Sequence, residues 1–284
     1  MTSLPRSEPR ACVIGWPVAH SRSPLIHRFW LERLKIAGSY ELAAVAPADF
    51  PDFVGNLARH GFVGANVTLP HKQTAFGLCD VKLPAAERLK AVNTLWIEAG
   101  KLYGDNTDCT GFLGALDQDA PEWDRNPGTA LVLGAGGAAR AIVHALQLRK
   151  MTRIFLVNRT RENAEKLAAD FGTPVEVVDF GDLPDAMTGA GLLVNTTSLG
   201  MRGQPPLTLD LTPLPPHAIV SDIVYVPLET SLVKAAKTRG LRTVSGIGML
   251  LHQAVPGFER WFGKKPRVTA ELRGLVEADI LAAA

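Results

Sequence analysis

The 284-residue sequence has little of what marks several classes of protein. It contains only three cysteines, Cys12, Cys79 and Cys109, and their odd number and wide spacing fit neither a disulfide framework nor a paired metal motif. Lys and Arg (30) exceed Asp and Glu (28) by only two, so no strongly charged surface is available to attract nucleic acid. These shortages predict a globular protein of a reducing compartment, with no metal and no nucleic-acid partner.

Long apolar runs are also missing. Residues 1–10 carry three charged side chains and lack the apolar segment of a secretory signal. The longest apolar stretch, residues 129–148, is interrupted by Arg140 and His144, which makes it too polar to span a membrane. We therefore expect a soluble, cytoplasmic protein with no membrane partner.

Strand-like runs alternate with helical patterns along most of the chain, which predicts βαβ units and an α/β fold. From residue 129 the alternation becomes regular and predicts a doubly wound parallel sheet. An acidic, proline-containing stretch, residues 117–128, is a plausible linker into it. We expect one α/β domain in residues 1–112 and a second in residues 113–245. The purely helical residues 246–284 are expected to return to the first domain.

A glycine-rich turn, residues 134–139, follows an apolar strand and begins a helix, as a dinucleotide-binding fingerprint requires. Gly134 permits the tight turn, Gly136 lets the backbone approach a pyrophosphate, and the helix N-terminus offers free N–H groups to the phosphates. The alternative is an ordinary βα turn. Because strand, turn and helix occur in order, the sequence favours a dinucleotide cofactor.

The next predicted strand ends at Asn158-Arg159-Thr160, where NAD-binding proteins usually carry an acidic residue. Arg159 instead offers a guanidinium that can bind a 2′-phosphate, and Arg161 could add a second charge. The alternative is that both arginines are solvated residues at the start of a helix. An arginine there is mildly unfavourable for the helix dipole, and this favours NADP over NAD.

Polar residues crowd at the predicted strand ends of the first domain. Ser21 and Ser23 lie beside a helix start and could hold a carboxylate, although Ser23 could simply cap the helix. Lys72 and the segment of residues 104–108 follow predicted strand ends, where a lysine could serve as an acid/base and an adjacent aspartate would keep it charged. Each residue alone could be a turn or surface residue, but their clustering favours a small polyhydroxylated substrate.

Eight motifs, in this order, resemble the shikimate dehydrogenase family over almost the whole chain. They are residues 21–24 (SRSP), 66–72 (NVTLPHK), 91–94 (AVNT), 104–108 (GDNTD), 134–139 (GAGGAA), 158–160 (NRT), 195–201 (NTTSLGM) and 246–253 (GIGMLLHQ). The chain departs from the resemblance at Asn163, where relatives often have a further arginine. Either Arg161 replaces that arginine, or the 2′-phosphate is bound by Arg159 alone.

The resemblance implies a Rossmann-like NADP domain and an α/β substrate domain completed by the C-terminal helices. It implies reversible, NADPH-dependent reduction of 3-dehydroshikimate to shikimate in chorismate and aromatic amino acid biosynthesis. Lys72 would be the acid/base and Asp108 its partner. The other substrate contacts that it implies are Ser21, Ser23, Thr68, Asn93, Tyr225 and Gln253.

The cofactor contacts are expected around the glycine turn, the Asn158 segment and two later motifs. They are Gly134, Ala135, Gly136, Gly137, Ala138, Asn158, Arg159, Thr160, Thr196, Ser198, Gly246 and Met249. A quinate or quinate/shikimate dehydrogenase is the nearest alternative, and a non-catalytic NADP-binding sensor is a second. The sequence leaves open whether the chain is a homodimer.

Overall fold

The computed structural model describes residues 8–283. Residues 1–7, which make up most of the segment expected to lack a signal, and Ala284 lie outside the described residues. The chain forms two compact units. The first combines Met1–Thr107 with Gln253–Val276, and the second combines Asp108–His252 with Glu277–Ala284. We expected the divisions after residues 112 and 245.

The first unit contains a six-stranded mixed sheet. Its elements are β1 (Arg10–Gly15), α1 (Ser23–Leu34), β2 (Ser39–Ala44), α2 (Phe50–Gly55), β3 (Gly64–Val67), α3 (Lys72–Leu78), β4 (Val81–Lys82), α4 (Pro84–Leu89), β5 (Thr94–Glu98) and β6 (Lys101–Asp105). The strand order is β2-β1-β3-β5-β6-β4. β1 pairs in parallel with β2 and β3, whereas β5 is antiparallel to both of its neighbours. The tight turn at Ala99-Gly100, with positive φ at both residues, reverses the chain between β5 and β6.

The second unit is a doubly wound parallel sheet, as the sequence predicted. Its elements are α5 (Asp108–Asp119), β7 (Thr129–Leu133), α6 (Gly137–Leu148), β8 (Arg153–Val157), α7 (Arg161–Phe171), β9 (Val175–Val177), a 3₁₀ turn (Phe180–Asp182), α8 (Leu183–Thr188), β10 (Ala190–Asn195), β11 (Ile219–Asp222), α9 (Ser231–Thr238) and β12 (Arg242–Ser245). The order β12-β11-β10-β7-β8-β9 brings the carboxyl ends of β7, β8 and β10 together, where open α/β sheets bind ligands.

Two helices end the chain, α10 (Gly246–Phe262) and α11 (Ala270–Ala282). Within the first unit, Trp261 of α10 donates its indole N–H to the Leu95 carbonyl at 2.9 Å. Trp30 of α1 donates to the Arg267 carbonyl at 3.0 Å. These bonds attach this part of the chain to β5 and to α1 of the first unit. No helix among residues 8–283 is both long and apolar enough to cross a membrane.

His27 is fully buried in the aromatic core of the first unit and stacks on Tyr40 with ring centroids 3.9 Å apart. Neither ring nitrogen has a hydrogen-bond partner among the described residues. Burial therefore lowers the pKa of His27 to about 3.

Replacement of His27 by phenylalanine is expected to make the protein more resistant to acid. Between pH 6.5 and about pH 3, His27 is protonated in the unfolded chain but stays neutral in the folded protein. The free energy of unfolding therefore falls as the pH is lowered through this range. The variant should gain about 2 to 3 kcal/mol relative to the native chain between pH 7 and pH 4.5. Denaturant unfolding at both pH values measures the gain, and an equal difference at both would contradict it.

Candidate functional site

Ser21 and Ser23 lie together at the start of α1. The Ser21 hydroxyl is 3.3 Å from the Ser23 hydroxyl and accepts a bond from the Ser23 backbone N–H. The N-cap position is Arg22, and no side chain caps this helix end. The interpretation of Ser23 as a helix cap is therefore wrong. The two hydroxyls and the helix start form a compact polar group that suits a carboxylate.

A buried network of polar side chains begins at Tyr40 in the sheet of the first unit. Tyr40 donates its hydroxyl to the Asn66 side-chain oxygen at 2.6 Å. Burial raises the pKa of Tyr40 well above its ordinary value, so the hydroxyl remains a donor. The Asn66 amide then donates to the Asn93 carbonyl and to Thr94 at 3.2 and 3.3 Å.

The side-chain oxygen of Asn93 is the acceptor on which this network converges. The Thr94 hydroxyl and the Thr107 N–H donate to it at 2.9 Å each. The Thr107 hydroxyl lies 3.1 Å from the same oxygen and donates to the Gln253 carbonyl at 2.8 Å. The orientation of the Asn93 amide is therefore set by its neighbours, because Thr94 and Thr107 bind its oxygen.

Lys72 begins α3, directly after the end of β3, and its carbonyl accepts a bond from Val92 N–H at 2.9 Å. This bond places the start of α3 next to Asn93. The neighbouring His71 is buried, lies 2.9 Å from the Val45 carbonyl through Nε2 and stacks on Phe50. These contacts give His71 a structural role.

The predicted substrate residues divide between the two units. The first unit contains Ser21, Ser23, Thr68, Lys72, Asn93 and Gln253. Asp108, the first residue of α5, and Tyr225 belong to the second unit. The sequence did not single out Tyr40 or Thr107 as parts of the site. Only the pairing of distant strands reveals them.

The glycine turn has the geometry that the sequence predicted. Gly134 has a φ of +103°, and a Cβ there would lie 2.7 Å from the Thr196 hydroxyl. The Ala135 N–H donates to the Asn158 side-chain oxygen at 3.2 Å, which ties the turn to the end of β8. Gly136 and Gly137 have open space where a Cβ would stand. The turn can therefore admit a pyrophosphate close to its backbone.

A cavity of about 400 Å³ adjoins this turn. Gly134, Asn158, Arg159 and Ser198 line one part of it, and most of the remaining lining is apolar and includes the half-exposed Phe180. Such a mixed lining suits a nucleotide, whose base is flat and apolar on its faces and whose phosphates are charged. The site therefore fits the dinucleotide that the sequence favours.

The two arginines at the end of β8 differ in their surroundings. Arg161 is paired with Glu165 at 2.7 Å and with Asp179 at 2.5 Å. Arg159 lines the cavity and makes no ion pair with another described residue. The arrangement leaves Arg159 as the guanidinium beside the glycine turn, while the charge of Arg161 is opposed by two carboxylates.

The loop after β10 carries Thr196 and Ser198 and is held by Asn195. The Asn195 side-chain oxygen accepts bonds from the Thr197 N–H and hydroxyl at 3.0 and 2.7 Å. Thr196 donates its hydroxyl to the Leu133 carbonyl at 2.7 Å, directly before the glycine turn. The loop and the turn therefore form one surface at the carboxyl edge of the sheet.

Gly246 begins α10 in the second unit, and its role is steric. A Cβ at this position would lie 2.1 Å from the Ile223 carbonyl oxygen. One turn later, Met249 is partly exposed and stands outside the buried core. Glycine is therefore required at 246 by the protein's own backbone.

Comparison with known families gives three matches in chain order. The "Shikimate dehydrogenase substrate binding domain" matches residues 13–95, "Shikimate / quinate 5-dehydrogenase" matches residues 120–200, and "Shikimate 5'-dehydrogenase C-terminal domain" matches residues 246–270. The shikimate dehydrogenase (NADP(+)) of Methylocella silvestris is 64% identical over 272 residues, which cover 96% of this chain and 97% of that protein.

Solved structures agree with this assignment. The shikimate 5-dehydrogenase of Thermus thermophilus, in complex with NADP(H) and shikimate, is 36% identical with a TM-score of 0.82, over 97% of this chain and 100% of that one. The quinate dehydrogenase of Corynebacterium glutamicum, in complex with NAD, is 29% identical with a TM-score of 0.88, over 95% and 99%. The chain therefore belongs to the shikimate dehydrogenase family.

Proposed function

We propose that this chain catalyses the reversible reduction of 3-dehydroshikimate to shikimate with NADPH, a step of chorismate and aromatic amino acid biosynthesis. As a member of its family, it is an NADP-dependent oxidoreductase that acts on a CH–OH group. The observation that carries the finer proposal is the buried network from Tyr40 to Gln253, which gathers hydroxyl and amide groups close to the start of α3 at Lys72.

Shikimate is a carboxylate with several hydroxyls, and each part has matching groups. Ser21 and Ser23, with Tyr225, hold the carboxylate. Thr68, Asn93 and Gln253 contact the ring hydroxyls. Because Thr94 and Thr107 already bind the Asn93 oxygen, the Asn93 NH₂ group is the one that donates to a substrate hydroxyl.

Proton transfer is assigned to Lys72. NADPH, when bound, supplies the hydride to the carbonyl carbon of the substrate. Lys72 donates a proton to the oxygen as negative charge develops on it, and it accepts that proton in the reverse direction. Asp108 orients the ammonium group and keeps it charged.

Cofactor binding is assigned to the carboxyl edge of the second sheet. The turn formed by Gly134, Ala135, Gly136, Gly137 and Ala138 holds the pyrophosphate through backbone N–H groups. Asn158, Arg159 and Thr160 hold the 2′-phosphate side. Thr196 and Ser198 line the nucleotide, and Gly246 and Met249 adjoin the nicotinamide.

Replacement of Arg159 by alanine is expected to raise the KM for NADPH about 10- to 100-fold, because charge-assisted hydrogen bonds are worth about 1.5 to 3 kcal/mol. The KM for NADH, which has no 2′-phosphate, should change little. Arg161→Ala is the matched control, since Glu165 and Asp179 already engage that side chain. Initial rates with both cofactors test this, and equal losses for NADPH and NADH would contradict it.

The proposed reaction is tested by steady-state assays with purified protein. NADPH-dependent reduction of 3-dehydroshikimate is expected, together with NADP-dependent oxidation of shikimate. The similarity to a quinate dehydrogenase makes quinate with NAD the necessary comparison. Faster oxidation of quinate than of shikimate would replace the proposal with the quinate activity. Binding of NADPH without turnover of any of these substrates would favour the sensor.

A further inference from the structure

Asp222, at the end of β11, is a fully buried carboxylate in the second unit. Its Oδ1 accepts bonds from the Asn195 amide at 2.9 Å and from the Val224 N–H at 3.0 Å. Its Oδ2 accepts the Thr230 hydroxyl at 2.7 Å. Three donors from three segments therefore meet on one side chain. Burial raises the pKa of Asp222, and these three bonds oppose that rise.

The first of these segments leads to the cofactor loop. The Asn195 amide donates to Asp222 and to the Leu199 carbonyl, while its oxygen holds Thr197. All the polar groups of this side chain are thus used to shape residues 195–199. Without the Asp222 oxygen, the buried amide would lose its closest acceptor and the loop would lose its attachment to β11.

The second segment leads towards Tyr225. The Val224 N–H is held by Asp222, and the Ile223 N–H donates to the Asn195 carbonyl at 3.2 Å. The Ile223 carbonyl is packed against Gly246. The backbone is therefore restrained at both residues immediately before Tyr225.

The third segment is the start of α9, which the bond to Asp222 helps to stabilise. Thr230 is the N-cap of α9, and its side chain accepts the Val233 N–H at 3.3 Å. Its bond to Asp222 Oδ2 therefore supports the cap of this helix. The two bonds to Oδ1, in contrast, restrain the segments that carry the proposed ligand contacts.

We propose that Asp222 is a positioning residue, which through Oδ1 holds the cofactor loop and the Tyr225 segment in one binding arrangement. The inference rests on the proposed function, because it takes Thr196 and Ser198 as cofactor contacts and Tyr225 as a substrate contact. It adds a residue that touches neither ligand and yet sets the affinity for both.

Asp222→Ala tests the proposal. We expect the KM values for NADP and for shikimate to rise together, each about 5- to 30-fold, because the loss of a buried acceptor costs about 1 to 2 kcal/mol at each segment. The value of kcat should stay within about 3-fold, since these contacts bind ground state and transition state alike. Asp222→Asn keeps an oxygen for Asn195 and Val224, so it should restore both KM values to near those of the native chain.

Thr230→Ala is the matched control, because it removes a partner of Oδ2 and leaves Oδ1 untouched. It should lower the melting temperature without raising either KM. Unchanged KM values in Asp222→Ala, or equal increases in Thr230→Ala, would overturn the proposal. If Asp222→Ala does not fold, Asn195→Ala breaks the same link from the loop side, and an unchanged KM for NADP in that variant would overturn it equally. The native chain is assayed first with shikimate and NADP. A native chain without this activity would contradict the proposed function, whereas the results with the variants test the role of Asp222.

Discussion

Replacement of Lys72 by alanine is expected to lower kcat by about a hundredfold to ten-thousandfold, the range that a positioned proton donor contributes. Lys72 begins α3 at the end of β3, where its backbone is fixed by Val92. The KM for shikimate should change little, because Ser21, Ser23 and Asn93 keep their geometry. Steady-state rates in both directions measure the effect.

Two further variants show whether Lys72 acts by transferring a proton or only through its positive charge. Lys72→Arg keeps a cation that does not release its proton at neutral pH, so its kcat should fall nearly as far. Lys101→Ala removes an exposed lysine from the β5–β6 hairpin and should leave kcat unchanged. Turnover of Lys72→Ala close to that of the native chain would exclude Lys72 as the acid/base.

Replacement of Gly246 by alanine is expected to have the largest effect on folding. The new Cβ would stand 2.1 Å from a backbone oxygen, which cannot move aside as the end of a flexible side chain can. We expect a loss of at least about 3 kcal/mol, or about 6 to 12 °C in melting temperature. Thermal unfolding in the absence of ligand measures this change.

Gly274→Ala is the matched control for that experiment. Gly274 lies within α11, with open space where the Cβ would stand, so alanine should stabilise the helix by about 0.5 to 1 kcal/mol. The same chemical change is thus expected to have opposite signs at two glycines. A melting temperature for Gly246→Ala equal to that of the native chain would refute the steric argument.

Much of the second unit could be predicted because its signals are local. The apolar strand β7, the glycine turn and α6 follow one another within about twenty residues, in the order that the sequence predicted. The strand pairing of the mixed sheet in the first unit was harder to predict from the sequence. The antiparallel pairing of β3 with β5 depends on residues far apart in the chain.

Contacts between distant residues explain what the sequence did not reveal about the site. The pairing of Arg161 with Asp179 requires β9 to lie beside β8, and the convergence on Asp222 requires β10 and β11 to be neighbours. Ser23 is a different case, because the contact that engages it is local. Its sequence is typical of a helix cap, but the N-cap position is Arg22 and the Ser23 hydroxyl lies 3.3 Å from that of Ser21.

The bonds that attach the end of the chain to the first unit set an order for folding during synthesis. Trp261 and Arg267 reach partners 166 and 237 positions earlier. The ribosome has therefore released all six strands of the second sheet before the first unit receives its last helices. The first unit is therefore completed after the second sheet has been made. Until then Trp30 and Tyr40 lack their contacts with Phe258 and Trp261. Apolar surface exposed in this way during synthesis is prone to aggregation.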